Sequence, residues 1–134
     1  MPELRLDLDV MERNAARIGK EVLGLGKMWR PHVKAHSQPK IAKTLVEHGA
    51  CGVTAANVAE VEVMATAGIP SVLLAHIAVA EGQLDRLAAV TRQTNLLVTI
   101  DHYVQSELYS AAAQRTGANF QVLIDIDVGM QRTG

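Results

Sequence analysis

The chain has 134 residues, 49% of them hydrophobic and 20% charged, with a net charge of −1. That suits one soluble domain with a sizeable core. It argues against nucleic-acid and membrane-surface binding, as does the 3% aromatic content, too low for base-stacking platforms. The lone Cys51 excludes an internal disulfide and fits a reducing, cytoplasmic setting. Met1 to Val10 is charged and has no apolar signal-peptide core, and no apolar run is long enough to span a bilayer.

Strand-like and helix-like segments alternate almost without linkers. Leu4 to Asp9 alternates apolar and charged residues, as a half-exposed strand does. Asp9 is placed to cap a helix from Val10 to Leu23, with Gly24 and Gly26 ending it. A strand follows from Lys27 to Ala35. Pro39 occupies the first position of a helix that runs to His48. Further strands are expected over Cys51 to Ala55, Ser71 to His76, Leu96 to Asp101 and Phe120 to Asp127. Between them lie helices over Val58 to Ala67, Glu81 to Gln93 and Val104 to Thr116, the first and last ended by Gly68 and Gly117. The runs VLLA, LLVTI and VLIDI are apolar on both faces, as buried parallel strands are.

This pattern predicts an α/β fold built of βα units. Counted from Lys27, it gives about five strands and four helices, preceded by an N-terminal strand and helix. A doubly wound sheet accepts that number. A complete eight-stranded barrel needs three more βα units.

The octet WRPHVKAH, Trp29 to His36, carries the strongest chemical signal. On a strand, Arg30, His32, Lys34 and His36 share one face. Neighbouring cations favour the neutral, nucleophilic form of a lysine, which points Lys34 toward imine chemistry. His32 and His36 lie roughly 13 Å apart on an extended strand, too far to share a metal ion. Other polar residues fall at strand ends, where α/β folds gather chemistry: Thr54 and Asn57, His76, Asp101 and His102, then Asp127 and Arg132. Polar residues also end strands simply because loops are wet, and Asp101 is placed to cap the next helix. On the last strand, Phe120, Val122, Ile124 and Ile126 form an apolar face suited to packing under helices. Asp125 and Asp127 fall on the inner face, where the basic face of the first strand could pair with them if the sheet curls.

The stretches RPHVKAH, GACGVTAANVAEVEVMATAGI and VLIDIDVGMQRTG resemble the D-threonine aldolase and D-serine dehydratase group, in register from about Leu6 to Gly134. The combination of PHxK with GMxRxG is the specific element. The resemblance implies a partial TIM-type (β/α)8 barrel of the alanine racemase N-terminal type over residues 1–134, with no C-terminal β domain. It implies pyridoxal 5'-phosphate as cofactor and a lyase acting on β-hydroxy D-amino acids. Lys34 matches the Schiff-base lysine, and Arg132 the arginine that hydrogen-bonds the cofactor's ring hydroxyl. His32 and Thr54 join them in the cofactor-binding set, and Glu60 matches a glutamate of the second βα unit. Ala35, His36 and Ser37 depart from the group's usual Thr-His-Lys, and His76 stands where a small polar residue is expected. Both departures bear on substrate rather than cofactor.

No metal ligand is expected in this stretch, since the group's divalent metal belongs to the full-length enzyme, expected to be a homodimer. A fragment alone is expected to be inactive, to hold the cofactor weakly and to self-associate through open sheet edges. An amino-acid racemase, a non-catalytic pyridoxal-phosphate homeostasis protein and a degenerate fragment are the alternative readings.

Overall fold

The computed structural model describes residues 5–134. Helix α1 (Leu8–Gly24) comes first and α2 (Pro39–Glu47) second. Then β1 (Val53–Ala55), α3 (Val58–Thr66), β2 (Ser71–Leu74), α4 (Glu81–Val90), β3 (Asn95–Ile100), α5 (Tyr103–Thr116) and β4 (Gln121–Ile124) alternate. The strands form one parallel sheet in the order β1-β2-β3-β4. Each strand lies beside the next in sequence, as consecutive βα units wind an arc of a barrel. Among the described residues, no helix is long and apolar enough to cross a membrane.

Alternation along the strands sorts the two faces. Val53, Ala55, Val72, Leu74, Leu96 and Val98 are buried in the core with Val58, Val61 and Met64 of α3 and Leu84 and Leu87 of α4. Thr54, Leu73, Leu97 and Gln121 follow one another in register across the opposite, inner face. On the outside, Arg86 of α4 grips both carboxylate oxygens of Glu62 of α3, at 2.7 and 2.6 Å. Arg115 of α5 reaches Asp85 of α4 at 2.5 Å. Being exposed, these pairs set helix register more than they add stability.

The N-terminus departs from the alternation reading. Leu4 lies outside the described residues, residues 5–7 are irregular, and α1 already begins at Leu8. Asp7, not Asp9, is the cap, its carboxylate accepting the Val10 N–H at 2.9 Å. A lone half-exposed strand has no edge to pair with, whereas Asp7 satisfies a free donor of the helix. At α5 the cap is likewise His102, whose Nδ1 accepts from Val104 N, while Asp101 pairs with the side chain of Gln105.

The expected first strand is reduced to a single bridge, His32 to Thr54. Thr54 N donates to Pro31 O, and Val33 N to Thr54 O. The next donor of such a ladder would be the nitrogen of Pro31, which carries no hydrogen. Below it Cys51 N donates to Trp29 O. The β1 side thus carries one extra residue, at Gly52 (φ 144), in the manner of a bulge. A Cβ there would overlap Ser71 O and the Arg30 guanidinium, so the position needs glycine. The sequence therefore yields four laddered strands and one bridged segment.

Candidate functional site at the carboxyl edge of the sheet

Val33 is fully buried on the helix side, which turns its neighbour His32 to the inner face beside Thr54. Arg30 reaches toward the amino end of that face, its guanidinium donating to Val53 O and to Ser71 Oγ at 3.1 Å. Beyond Val33 the chain does not continue as a strand. His36 N and Ser37 N both donate to Val33 O, at 2.9 and 2.7 Å, and close a turn that carries Lys34. The four-cation stripe is therefore not formed: Arg30 and His32 stay on the segment, while Lys34 and His36 leave it in the turn. Lys34 is exposed at the carboxyl edge. His32 Nδ1 accepts the Lys34 backbone N–H at 3.2 Å.

The imidazoles are electrostatically biased toward neutrality. Burial first, then the Lys34 charge, holds His32 below its ordinary pKa, with Glu60 opposing. Burial likewise lowers His36, with Glu60 opposing. The His36 Nε2 is buried without a hydrogen-bond partner. The distance argument against a shared metal assumed an extended strand, which the turn removes. Among the described residues, no group of three or more His, Cys, Asp or Glu side chains is placed to hold a metal ion.

Glu60 is the residue whose role the sequence alone did not supply. One carboxylate oxygen accepts from Ser37 Oγ at 2.9 Å, the other from Ala56 N at 2.8 Å. Its own N–H donates to Asn57 Oδ1, so Asn57 is the cap of α3. The visible signal was the Asn57-x-x-Glu60 spacing of a capping box. Here the carboxylate reaches past the cap to Ala56 and across to the Lys34 turn.

The far side of the arc is organised differently. Asp127 faces water and accepts from Gly129 N at 2.8 Å and Gln131 N at 3.0 Å. Those bonds hold its carboxyl below the usual range. Among the described residues neither Asp125 nor Asp127 forms an ion pair with Arg30, His32, Lys34 or His36, so the expected pairing across the inner face is not made. A carboxylate that can bond its own turn in water needs no buried cation. Arg132 follows in the same exposed segment, after Gln131 in a left-handed conformation (φ 53). His76 is exposed at the end of β2. An open apolar groove between α5 and β4, lined by Ile100, Tyr109, Phe120, Val122 and Ile124, lies at the opposite end of the sheet from Lys34.

The family model described as "Alanine racemase, N-terminal domain" matches residues 6–134. The chain belongs to that family. It is 34% identical to the 3-hydroxy-D-aspartate aldolase of Paracoccus denitrificans, over 99% of this chain and 35% of that protein. It is 31% identical to a D-threonine aldolase of Arthrobacter sp, with the same coverage. The crystal structure of D-threonine aldolase from Filomicrobium marinum superimposes on the whole chain with a TM-score of 0.96 at 36% identity, using 36% of that chain. The chain thus spans about a third of the length of these relatives. The aldolase resemblance and the barrel-type α/β fold carried by PHxK and GMxRxG agree with these matches.

Proposed function

We propose that the chain is the cofactor-binding barrel portion of a pyridoxal-phosphate-dependent lyase acting on β-hydroxy D-amino acids, with Lys34 as its Schiff-base lysine. The observation that carries this is the placement of Lys34. It is exposed in a closed turn at the carboxyl edge of the sheet, with its backbone bound to His32 and the turn bound to Glu60. The aldolases among its relatives support the reaction class.

The donor set fits the group at its amine-reactive end. Lys34 provides a primary amine free of secondary structure. His32, held toward its neutral form by burial, stands beside it as an uncharged imidazole at neutral pH. Thr54 lies next to His32 in register on the inner face. Arg132 brings a permanently charged donor fork to the same edge from beyond β4. These four residues would hold the cofactor. Pyridoxal phosphate, when bound, supplies the electron sink for the bonds at the substrate's α-carbon. The protein's part is to fix Lys34, keep His32 uncharged and bring Arg132 to the ring. The divalent metal and the homodimer belong, in this reading, to a full-length enzyme. The free Cys51 supports a reducing, cytoplasmic compartment.

The test is borohydride trapping of the chain incubated with pyridoxal phosphate, followed by peptide mapping. Lys34 is expected to carry the pyridoxyl label in preference to Lys20, Lys27, Lys40 and Lys43. Lys34→Ala should abolish the preferential label without redistributing it. Uniform labelling of all the lysines would overturn the assignment.

A further inference from the structure

We infer that Glu60 is the positioning residue of the Lys34 turn, a role that rests on Lys34 being the cofactor lysine. Two strand-end segments must be held together for a residue in one to face a ligand shared with the other. Glu60 does this with its two carboxylate oxygens, one on Ser37 Oγ from the Lys34 turn and one on Ala56 N just after β1. The carboxylate projects from the first turn of α3, which starts at Val58, buried in the core.

The turn gives independent support. Ser37 adopts a left-handed backbone (φ 49), which a non-glycine residue holds only at a cost. That residue comes directly after the turn closed by the hydrogen bonds of His36 N and Ser37 N to Val33 O, and its hydroxyl donates to Glu60. Strained backbone locked by a charge-assisted hydrogen bond is the signature of a pre-organised loop, and Lys34 lies inside it. Glu60 thus takes part in two things, the link to the Lys34 turn through its carboxylate and the capped start of α3 through its N–H.

Substitution on either side of the carboxylate does separate them. Ser37→Ala removes the link to the Lys34 turn and leaves the α3 cap intact. Asn57→Ala removes the cap and leaves the Ser37–Glu60 bond. Each variant of the full chain is incubated with pyridoxal phosphate, trapped with borohydride and mapped, alongside a thermal unfolding curve. A hydrogen bond to a carboxylate corresponds to about a tenfold change in an equilibrium. Ser37→Ala is therefore expected to lower Lys34 labelling about tenfold, with labelling of the other lysines unchanged. Glu60→Gln should lower it at least as far, and Ser37→Asn, which tolerates the left-handed backbone and retains a donor, should restore it. Asn57→Ala should lower the midpoint and leave labelling alone. Lys34 labelling at the parent level in both Ser37→Ala and Glu60→Gln overturns the positioning role while leaving the functional reading in place. Absence of preferential Lys34 labelling in the parent chain overturns both. If Glu60→Gln does not fold, Ser37→Ala and its Asn rescue decide the matter.

Discussion

The two ends of the arc are built to different standards. On the β1 side, all of β1 and most of β2 are buried, α3 packs against both strands, and the Lys34 turn is closed by backbone bonds and by Glu60. On the β4 side every strand residue is exposed, and Ile124, Ile126 and Val128 are 75%, 70% and 94% accessible. The segment carrying Arg132 is held by the Asp127 turn and by one longer bond, Gly134 N to Asp101 at 3.3 Å. The contrast teaches that the Lys34 turn is tied down by bonds within this chain, whereas the Arg132 segment has few such ties. Parallel strands are stable when both faces are covered, and β4 has a strand neighbour on one side only.

The largest effect expected to separate the two ends is truncation of their apolar side chains. Met64→Ala, in the buried α3 face, should cost about 2–5 kcal/mol in urea unfolding, while Ile124→Ala should change stability by less than about 0.5 kcal/mol. Equal costs would show that β4 is as well packed as β1, and the contrast would be lost. Next in size is association. The exposed apolar edge at β4 should make the 134-residue chain self-associate, and light scattering should report a smaller species for the double variant Ile124→Lys, Ile126→Lys. A monodisperse monomer in the parent would contradict the open-edge account.

The smallest effect is a pH dependence confined to the β1 side. His32 and His36 are held below the ordinary histidine value of 6.5 in the folded chain. The unfolded chain then binds protons more readily, so these residues contribute stability above pH 6.5 that is lost as pH falls below it. The unfolding midpoint should be flat above neutrality and decline below 6.5, and the double variant His32→Gln, His36→Gln should flatten that decline. A decline of the same size in the variant would assign it to carboxylates instead.

Much of this architecture was legible in the sequence, for local reasons. Apolar runs marked the strands, although Leu97 and Thr99 of β3 are only half-buried and the VLIDI run, expected to be covered on both faces, is exposed throughout β4; Gly68 and Gly117 marked helix ends that the structure closes with positive φ. Pro39 marked the start of α2. What was misread depended on single backbone hydrogens and on tertiary partners. The alternation of Leu4 to Asp9 suits a strand only where another edge lies beside it, and α1 took those residues from Leu8 onward. The octet around Lys34 looked continuous by periodicity, but Pro31 lacks the hydrogen that would extend its ladder. The bonds of His36 N and Ser37 N to Val33 O then bend the chain. The roles proposed for Lys34 and Arg132 rest on their motifs and on their place at the carboxyl edge. The work of Glu60 was not legible in the sequence, since its two partners, Ser37 and Ala56, come together only when β1 lies beside the Lys34 segment.

The strand order carries a consequence for how the molecule comes into being. Val53 pairs with Val72, Val72 with Leu96, and Val98 with Val122, so each new strand finds its place on the strand made just before it. No ladder has to wait for a distant part of the polypeptide. Pairing between successive units favours stepwise assembly, and a ribosome releasing the chain from its N-terminus would present the units in the order in which they dock. The Lys34 turn and its Glu60 anchor would then be complete before β4 has left the exit tunnel.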